Sequence, residues 1–223
     1  VWSGYVAKYH LNDVNGSTAT PYNLTNVGTV PFNAGLIGNA ADGGTSNTTK
    51  WLRVDNDLGI TNGAITMSVW VKMNAEIASG HQGILMKGDA GTNVMNYLSY
   101  DYNGGTRRLV WNRQRQNTAN DLITYTTTLG TTSWHHIVYT YDGTNLRGYL
   151  DGSLVAGPTA YSGNGAGAGI DIFEIMGHNN SAGNPQYAGD EFSGLADATS
   201  VLTSALSANW VTTEYNNQSD EAT

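Results

Sequence analysis

Residues 134–156, WHHIVYTYDGTNLRGYLDGSLVA, decide the fold class of this chain. Apolar and polar residues alternate along the stretch, and the pairs Asp142-Gly143 and Asp151-Gly152 interrupt it twice. Asp-Gly accepts positive φ at low energy and is typical of tight turns between strands. The stretch therefore predicts a β-meander of three antiparallel strands.

Both faces of the first of these strands carry bulky side chains. Side chains alternate along a strand, so Trp134 and Val138 fall on one face and Ile137 and Tyr139 on the other. A strand of this kind lies inside a sheet that is covered on both sides. The pattern predicts a sandwich of two sheets.

Composition favours one folded domain, residues 1–223. Hydrophobic residues make up 39% of the 223, and 28 glycines with only 13% charged residues indicate many turns and a weakly charged surface. Turn pairs recur from Asn15-Gly16 to Asp151-Gly152 without a Pro-rich or charged linker.

The absence of cysteine excludes disulfides and thiolate metal sites. The chain starts at Val1, which suggests that a signal or propeptide was removed or that it is part of a longer protein.

Charge and hydropathy exclude some partners. A net charge of -8 and a pI near 4.8 disfavour nucleic acid and anionic membranes. No segment approaches the roughly 18 consecutive apolar residues of a membrane span. A basic cluster of Arg107, Arg108, Arg113 and Arg115 can meet an acidic sugar or pair with nearby carboxylates.

Alternation along the rest of the chain predicts further strands and one helix. Ser207 is a candidate N-cap for a short C-terminal helix, in which Trp210, Val211 and Tyr215 recur at helical spacing. Residues 12–33 are polar and are predicted as a long loop. With the meander, these patterns predict an all-β, two-sheet antiparallel sandwich of jelly-roll type. The other predicted strands are residues 5–11, 51–54, 64–72, 83–88, 96–102, 109–115, 122–126, 170–176 and 191–198.

Several segments carry a family resemblance. They are AITMSVWVK (64–72), GILMKGD (83–89), residues 134–155, EIMGHNN (174–180) and FSGLADATSVLTSALSANWVTTEYNNQ (192–218). In this order they resemble the strands of laminin G-like domains of the concanavalin A-like lectin/glucanase superfamily, as found in large bacterial and archaeal surface or secreted proteins. The resemblance covers nearly the whole chain. It implies a concanavalin A-like jelly roll, which hosts lectins, adhesion modules, glycosidases and spacers.

The same resemblance implies a structural calcium ion that joins the N-terminal region to the last strand. Carried onto matching positions, its ligands are Asp197, Asp42 and a contribution from Asn12 or Asp13. Carboxylates and amide oxygens suit calcium. The alternative is that these residues form turns and hydrogen bonds at strand ends. In this sequence Ala198 follows Asp197, where the family usually has Glu.

The sequence does not predict an enzyme. The nearest match to the glycosidase pattern Glu-x-Asp-x-x-Glu is residues 169–174, where Gly169 replaces the nucleophile and Asp171 and Glu174 point to opposite faces. His135 and His136 are adjacent on a strand and cannot bind one ion together. The other histidines, His10, His81 and His178, are isolated in the sequence and are interpreted as structural.

Carbohydrate binding is the favoured function. Trp111, Arg113 and Arg115 share one strand face, and Tyr100 and Tyr102 share a face of the neighbouring strand. Rings stack on the C–H faces of sugars, and arginines donate to their hydroxyls, so these five residues are the predicted glycan platform. The alternative is that the rings are part of the core, with the arginines at its edge.

The chain is thus predicted to be a non-catalytic, extracellular recognition or adhesion module that binds a glycan or polysaccharide. A structural subunit of a surface filament, surface layer or virion is the alternative, because edge strands and low charge also suit contacts with other surface proteins or self-assembly. A glycoside hydrolase is the third and least favoured function.

Overall fold

A computed structural model describes residues 4–19, 21–45, 49–56, 58–60, 63–88, 95–114, 120–161, 172–178 and 189–219. These residues form fifteen strands and one helix. The elements are β1 (Tyr5–Tyr9), β2 (Thr25–Val27), β3 (Phe32–Ala34), β4 (Asn39–Asp42), β5 (Trp51–Val54), β6 (Ile65–Met73), β7 (Gly80–Lys87), β8 (Met95–Asn103), β9 (Thr106–Gln114), β10 (Asn120–Thr126), β11 (His135–Tyr141), β12 (Asn145–Leu150), β13 (Ser153–Ala160), β14 (Phe173–Ile175), β15 (Gly194–Leu202) and α1 (Ala208–Ser219).

The strands form two antiparallel sheets. The eight-stranded sheet has the order β13-β12-β11-β6-β15-β4-β3, with β1 paired to β15, and the seven-stranded sheet has the order β10-β9-β8-β7-β14-β5-β2. Their inner faces share one hydrophobic core. The predicted fold class, a jelly-roll sandwich with a short C-terminal helix, is confirmed.

The meander lies where its pattern predicts. Strand β11 pairs with β6 on one side and β12 on the other, and its inner face buries Ile137 and Tyr139 in the core. Its outer face buries Val138 under α1, so both faces are covered. Asp151 and Gly152 both have positive φ, 49° and 74°, as the tight turn between β12 and β13 requires.

The helix also follows its prediction. The Ser207 side chain accepts a hydrogen bond from the Trp210 N–H at 3.4 Å, which is the contact of an N-cap. Val211 is buried, whereas Trp210 is 63% exposed and points away from the sheet. Within the described residues, no helix has the length and apolar character needed to cross a membrane.

The polar stretch at residues 12–33 is more ordered than predicted. It contains β2 and the start of β3, each of which is three residues long and lies at the edge of a sheet. Such short strands lack enough alternation to stand out in a sequence. The last strand begins at Gly194 rather than at Glu191, which instead forms an isolated bridge with Gly83.

Candidate functional site

Three residues of the predicted glycan platform lie inside the sandwich. Trp111 and Tyr100 are fully buried and Arg113 is 1% exposed. The Trp111 indole donates a hydrogen bond to the Val138 carbonyl of the opposite sheet at 2.9 Å, and the Arg113 guanidinium lies 4.0 Å from the centre of the Tyr141 ring. These side chains cannot contact a glycan in this structure, which corrects the prediction in favour of its alternative.

The face of strand β9 that was predicted to point outward points inward. Trp111 and Arg113 share a face, as alternation requires, but this face meets the second sheet. Tyr102 is half-buried near the end of the hairpin, where the Arg107 guanidinium lies 5.4 Å from its ring centre. Arg115 lies outside the described residues. The predicted platform therefore does not form a continuous exposed surface.

The side chain of Asp197, the central predicted calcium ligand, accepts three backbone hydrogen bonds. Its Oδ2 accepts from the N–H groups of Leu36 and Ile37, both at 2.9 Å, and its Oδ1 from that of Ala198 at 2.7 Å. Burial raises the pKa of Asp197 to about 6, and the N–H groups act in the opposite direction. This carboxylate fastens the turn before β4 to strand β15.

The other predicted calcium ligands are also hydrogen-bond acceptors. The Asn12 side-chain oxygen accepts from the Asn39 N–H at 2.6 Å. Asp13 and Asp42 each accept from the backbone N–H two residues further along the chain, both at 2.8 Å. Asp13, Asp42 and Asp197 do not form a group with ligand atoms within 4.8 Å. The contacts of these four residues are those expected for turn formation and for hydrogen bonding at strand ends.

The outer face of the eight-stranded sheet is covered by α1. Val211 packs on Val138 and Tyr149, and the Tyr215 ring stacks on Trp70 with centroids 5.6 Å apart. The helix therefore covers the part of this face around Val138, Tyr149 and Trp70.

Ionisable groups are buried between α1 and the sheet. Burial lowers the pKa of His136 to about 3, and Lys8 adds to the effect. Burial also raises the pKa of Glu214, while Lys8 acts to lower it. The Glu214 Oε2 lies 3.9 Å from the His136 Nε2. These groups join the helix to the sheet.

The outer face of the seven-stranded sheet is different, since the one helix of the described residues lies on the other sheet. Its centre carries Tyr97, which is half-buried and packs on Met86. Strand register places Asn112 opposite Tyr97, Glu174 opposite Met86, and His81 opposite Asp101 on the same face. We call this side of the sheet the Tyr97 face; Tyr97, His81 and Asp101 are its partly exposed residues, and Met86, Asn112 and Glu174 are fully buried.

Two histidines and an aspartate meet beside Tyr97. His81 Nε2 lies 3.0 Å from His178 Nδ1 and 2.8 Å from Asp190 Oδ2, and His178 Nδ1 lies 3.2 Å from the same oxygen. The Tyr97 ring packs against the His178 ring with centroids 5.4 Å apart. In the described part of the chain, no other three His, Cys, Asp or Glu side chains bring their ligand atoms within 4.8 Å of one another.

Main-chain contacts hold the three residues of this cluster in place. The Gly83 N–H donates to the Asp190 carbonyl at 2.7 Å, and the Met176 N–H donates to the Ile84 carbonyl at 2.8 Å. A Cβ at Gly83 would lie 2.9 Å from the Cβ of His178, so glycine permits this close approach. The cluster is therefore fixed by β7 and by the segments that pack against it.

The electrostatics of the cluster follow from its hydrogen bonds. The contact with Asp190 raises the pKa of His81, and burial acts against it. Burial works to raise the pKa of Asp190, but hydrogen bonds from His178 and His81 outweigh it, so this pKa lies below its usual value. Asp190 is therefore ionised at neutral pH.

Glu174 is the remaining buried acid of the Tyr97 face. Burial raises its pKa to about 7, while Arg53 acts to lower it and Asp55 to raise it. Asp55 itself is paired with Arg53. The predicted glycosidase string also includes Gly169 and Asp171, which lie outside the described residues. A glycosidase needs two carboxyl groups that flank the scissile bond, and Glu174 supplies one.

The His81–His178–Asp190 cluster was not predicted, because His81 and His178 were interpreted as isolated structural residues. They are 97 positions apart, and Asp190 is 12 positions beyond His178. Ligands from separate elements leave no spacing motif. The available signal was strand pairing: His81 lies near the start of β7 and His178 follows β14, and these strands are antiparallel neighbours.

The two-sheet jelly roll, with one outer face under a helix and one lined by polar and aromatic side chains, defines a concanavalin A-like β-sandwich domain. The chain belongs to the laminin G-like family described as the Concanavalin A-like lectin/glucanases superfamily, whose model matches residues 42–212. The resemblance drawn from the sequence is thereby confirmed.

Solved structures show the same fold. Domain 4 of AbnA, an extracellular arabinanase from Geobacillus stearothermophilus in complex with arabinotriose, is 19% identical, with 98% of each chain covered and a TM-score of 0.68. Botulinum neurotoxin type C, whose cell entry depends on interaction with two ganglioside molecules, is 12% identical with a TM-score of 0.74, covering 96% of this chain and 51% of that one. The binding domain of botulinum neurotoxin DC, in complex with rat synaptotagmin II, is 12% identical with a TM-score of 0.73, and the match covers 96% of this chain and 52% of that one.

The chain thus spans about half the length of these neurotoxin structures. At such identities, the similarity shows the fold. A comparison with curated proteins finds no match.

Proposed function

We propose that this chain is a non-catalytic carbohydrate-binding module that holds a glycan on the Tyr97 face. The observation that carries the proposal is the asymmetry of the sandwich: α1 covers one outer face, while the other presents a half-buried ring among polar side chains. The ligand surface is therefore on the hairpin predicted from the sequence, but on its opposite face.

The chemistry of the Tyr97 face suits a sugar. A tyrosine ring offers a flat apolar surface to the C–H groups of a pyranose or furanose. Beside it, the partly exposed Asp101 can accept hydrogen bonds from hydroxyls, and Arg108 lies 3.9 Å from Asp101 at the rim, whereas Asn112 is fully buried. A single ring within a set of polar groups is typical of small-ligand sites.

The solved structures support the same ligand class. The AbnA domain matches along its whole length and is in complex with arabinotriose, and the type C neurotoxin interacts with gangliosides. Both ligands are carbohydrate or carry carbohydrate, although they differ chemically. These similarities favour a glycan without selecting which one.

The direct test is a glycan array with the wild-type chain and Tyr97→Ala, followed by titration of the best ligand. We expect Tyr97→Ala to weaken binding at least about tenfold, because stacking and apolar burial by one ring are worth roughly 1.5 kcal/mol or more. Trp210→Ala is the matched control, since Trp210 is an exposed ring on the opposite side of the sandwich.

A folded Tyr97→Ala protein that binds as tightly as wild type would place the glycan elsewhere. Equal losses in Tyr97→Ala and Trp210→Ala would indicate nonspecific stickiness of aromatic residues. Absence of binding to any arrayed glycan would remove the proposal.

The non-catalytic part of the proposal is tested separately. Glu174 is an acid with a raised pKa, but the charged groups that act on it, Arg53 and Asp55, form an ion pair with each other. Because Glu174 is fully buried, we expect no release of reducing ends from arabinan, β-glucan or other polysaccharides that the chain binds. Cleavage that is lost in Glu174→Gln would instead assign a glycoside hydrolase.

A structural role through protein contacts is the second candidate. Trp210 is 63% exposed on α1, and Leu154 is 45% exposed on the edge strand β13. Exposed apolar groups beside a free edge suit lateral contacts with other surface proteins or with further copies of this chain. Light scattering distinguishes the two: a monomer that binds glycan supports the first candidate, and ordered assemblies without glycan affinity support the second.

An extracellular setting is the remaining part of the proposal. It rests on the family, which the sequence resemblance associates with surface and secreted proteins, and on the proposed ligand class. Antibody labelling of intact cells of the source organism, compared with lysed cells, tests it. Labelling only after lysis would contradict an extracellular setting.

A further inference from the structure

The three facing atoms of the His81–His178–Asp190 cluster form a nearly equilateral triangle. Its sides are 3.0 Å between the two ring nitrogens and 2.8 and 3.2 Å from these nitrogens to the Asp190 Oδ2. An ion with bonds of about 2.0–2.1 Å to three such atoms separates them by roughly 2.9 Å at right angles and 3.4 Å at tetrahedral angles. The observed triangle lies within this range.

Hydrogen bonds alone do not satisfy the two ring nitrogens and the carboxylate oxygen at the corners of this triangle. Each facing ring nitrogen carries either one proton or one lone pair. If both nitrogens donate to Asp190, two N–H groups oppose each other at 3.0 Å. If one nitrogen donates to the other, the acceptor presents its lone pair to the carboxylate oxygen. With Asp190 ionised, one of the three contacts is therefore repulsive whichever ring nitrogen carries a proton, whereas a cation at the centre makes all three attractive.

The surroundings match an open metal site. Side-chain exposure is 38% for His81, 16% for Asp190 and 9% for His178, so the cluster opens to solvent on the His81 side. Two imidazoles and one carboxylate suit zinc and its neighbours in the transition series, whereas calcium and magnesium prefer oxygen ligands. Three protein ligands with an open position are typical of zinc sites that bind water or a substrate.

We propose that His81, His178 and Asp190 bind one divalent transition-metal ion, with Zn²⁺ as the expected occupant and a solvent molecule at its open position. The main-chain contacts of Gly83 preorganise the ligands, and the Tyr97 ring packed on His178 limits the orientation of that imidazole. The ion lies at the border of the Tyr97 face. The proposal does not depend on glycan binding.

The test is calorimetric titration of the untagged full chain with Zn²⁺ after removal of metals. We expect one ion per chain. His81→Gln and Asp190→Asn each remove one ligand and should weaken binding at least about 100-fold. Co²⁺ titration gives a second readout, because an ion in a low-symmetry protein site absorbs visible light more strongly than the hydrated ion. This absorption should be absent in His81→Gln.

His135→Gln is the matched control. His135 also pairs with a carboxylate, Asp151, at 2.8 Å, but the described residues place no second imidazole beside it. The His135→Gln variant should bind Zn²⁺ within about twofold of wild type, since His135 is not a ligand of the proposed ion. Folding of every variant is checked by thermal unfolding without metal, and His81→Gln is the least demanding because its side chain is the most exposed of the three.

Absence of saturable Zn²⁺ binding to the wild type would overturn the proposal. So would unchanged binding by both folded ligand variants, or an equal loss in His135→Gln. Because no glycan is present in these titrations, their failure leaves the carbohydrate proposal untouched, and the reverse holds for the glycan array.

Discussion

At the scale of single residues, Trp111 shows how the two sheets are joined. Its indole lies fully buried against Gly148 of the opposite sheet, where any side chain would overlap the ring. We expect Trp111→Ala to lower the free energy of unfolding by about 3–5 kcal/mol, because it leaves a large cavity and removes the hydrogen bond to the Val138 carbonyl. Urea unfolding measures this. A stability near that of the wild type would contradict the interior placement.

His135 is predicted to make stability depend on pH. Its two ring nitrogens each lie 2.8 Å from an acceptor, Asp151 Oδ2 and the Leu129 carbonyl, so the protonated ring satisfies both. The hydrogen bond with Asp151 raises its pKa, against burial. The contribution of protonated His135 to the free energy of unfolding is therefore complete at pH values below the pKa of about 6.5 that histidine has in the unfolded chain. This contribution is lost as pH rises through the higher pKa of His135 in the folded chain. We expect His135→Gln to destabilise the chain more at pH 5 than at pH 8, as measured by urea unfolding.

His10 provides a control of opposite sign. Burial, followed by Lys8, lowers its pKa, so its protonation at acidic pH favours the unfolded state. His10→Gln should gain stability relative to wild type as pH falls from 8 to 5. If both variants changed in the same direction, a general effect of acidification would account for the result, and the assigned role of His135 would be wrong.

At the scale of elements, Val211 is the one fully buried side chain of α1. Val211 packs on Val138 and Tyr149, whereas its neighbour Trp210 is mostly exposed. We expect Val211→Ala to reduce the free energy of unfolding by about 1–3 kcal/mol. Trp210→Ala, the matched surface change, should stay within about 0.5 kcal/mol of wild type. Equal losses of unfolding free energy in the two variants, measured by chemical unfolding, would contradict the buried position of Val211.

The elements that could be predicted are those with strong local signals. The meander β11–β13 has alternation and two Asp-Gly turns, and β5 begins and ends where its apolar run does. The strands β2 and β3 were missed because three residues carry no usable periodicity. Their edge positions depend on pairing with distant strands. Local patterning therefore predicts long strands, while short ones are set by the tertiary structure.

At the scale of the whole molecule, the sequence predicts two sheets but does not say which face of a strand points outward. Strand β9 places Trp111 on one face and Asn112 on the other, and both are fully buried. Only the position of the second sheet distinguishes them, so the glycan platform was assigned to the inner face. The His81–His178–Asp190 cluster required the same long-range information, since three separate segments contribute to it.

Calcium dependence is a further property of the whole molecule that can be measured. The oxygens of Asp197 accept three N–H groups and fasten the segment before β4 to β15, a connection that a bound ion would otherwise make. Since three N–H donors already satisfy this carboxylate, we expect thermal unfolding midpoints with and without excess calcium to agree within about 2 °C. Asp197→Asn, which keeps the volume but weakens the acceptor, should lower the midpoint in both conditions. A calcium-induced rise in the wild type that is lost in Asp197→Asn would show that this carboxylate exchanges its N–H partners for the ion.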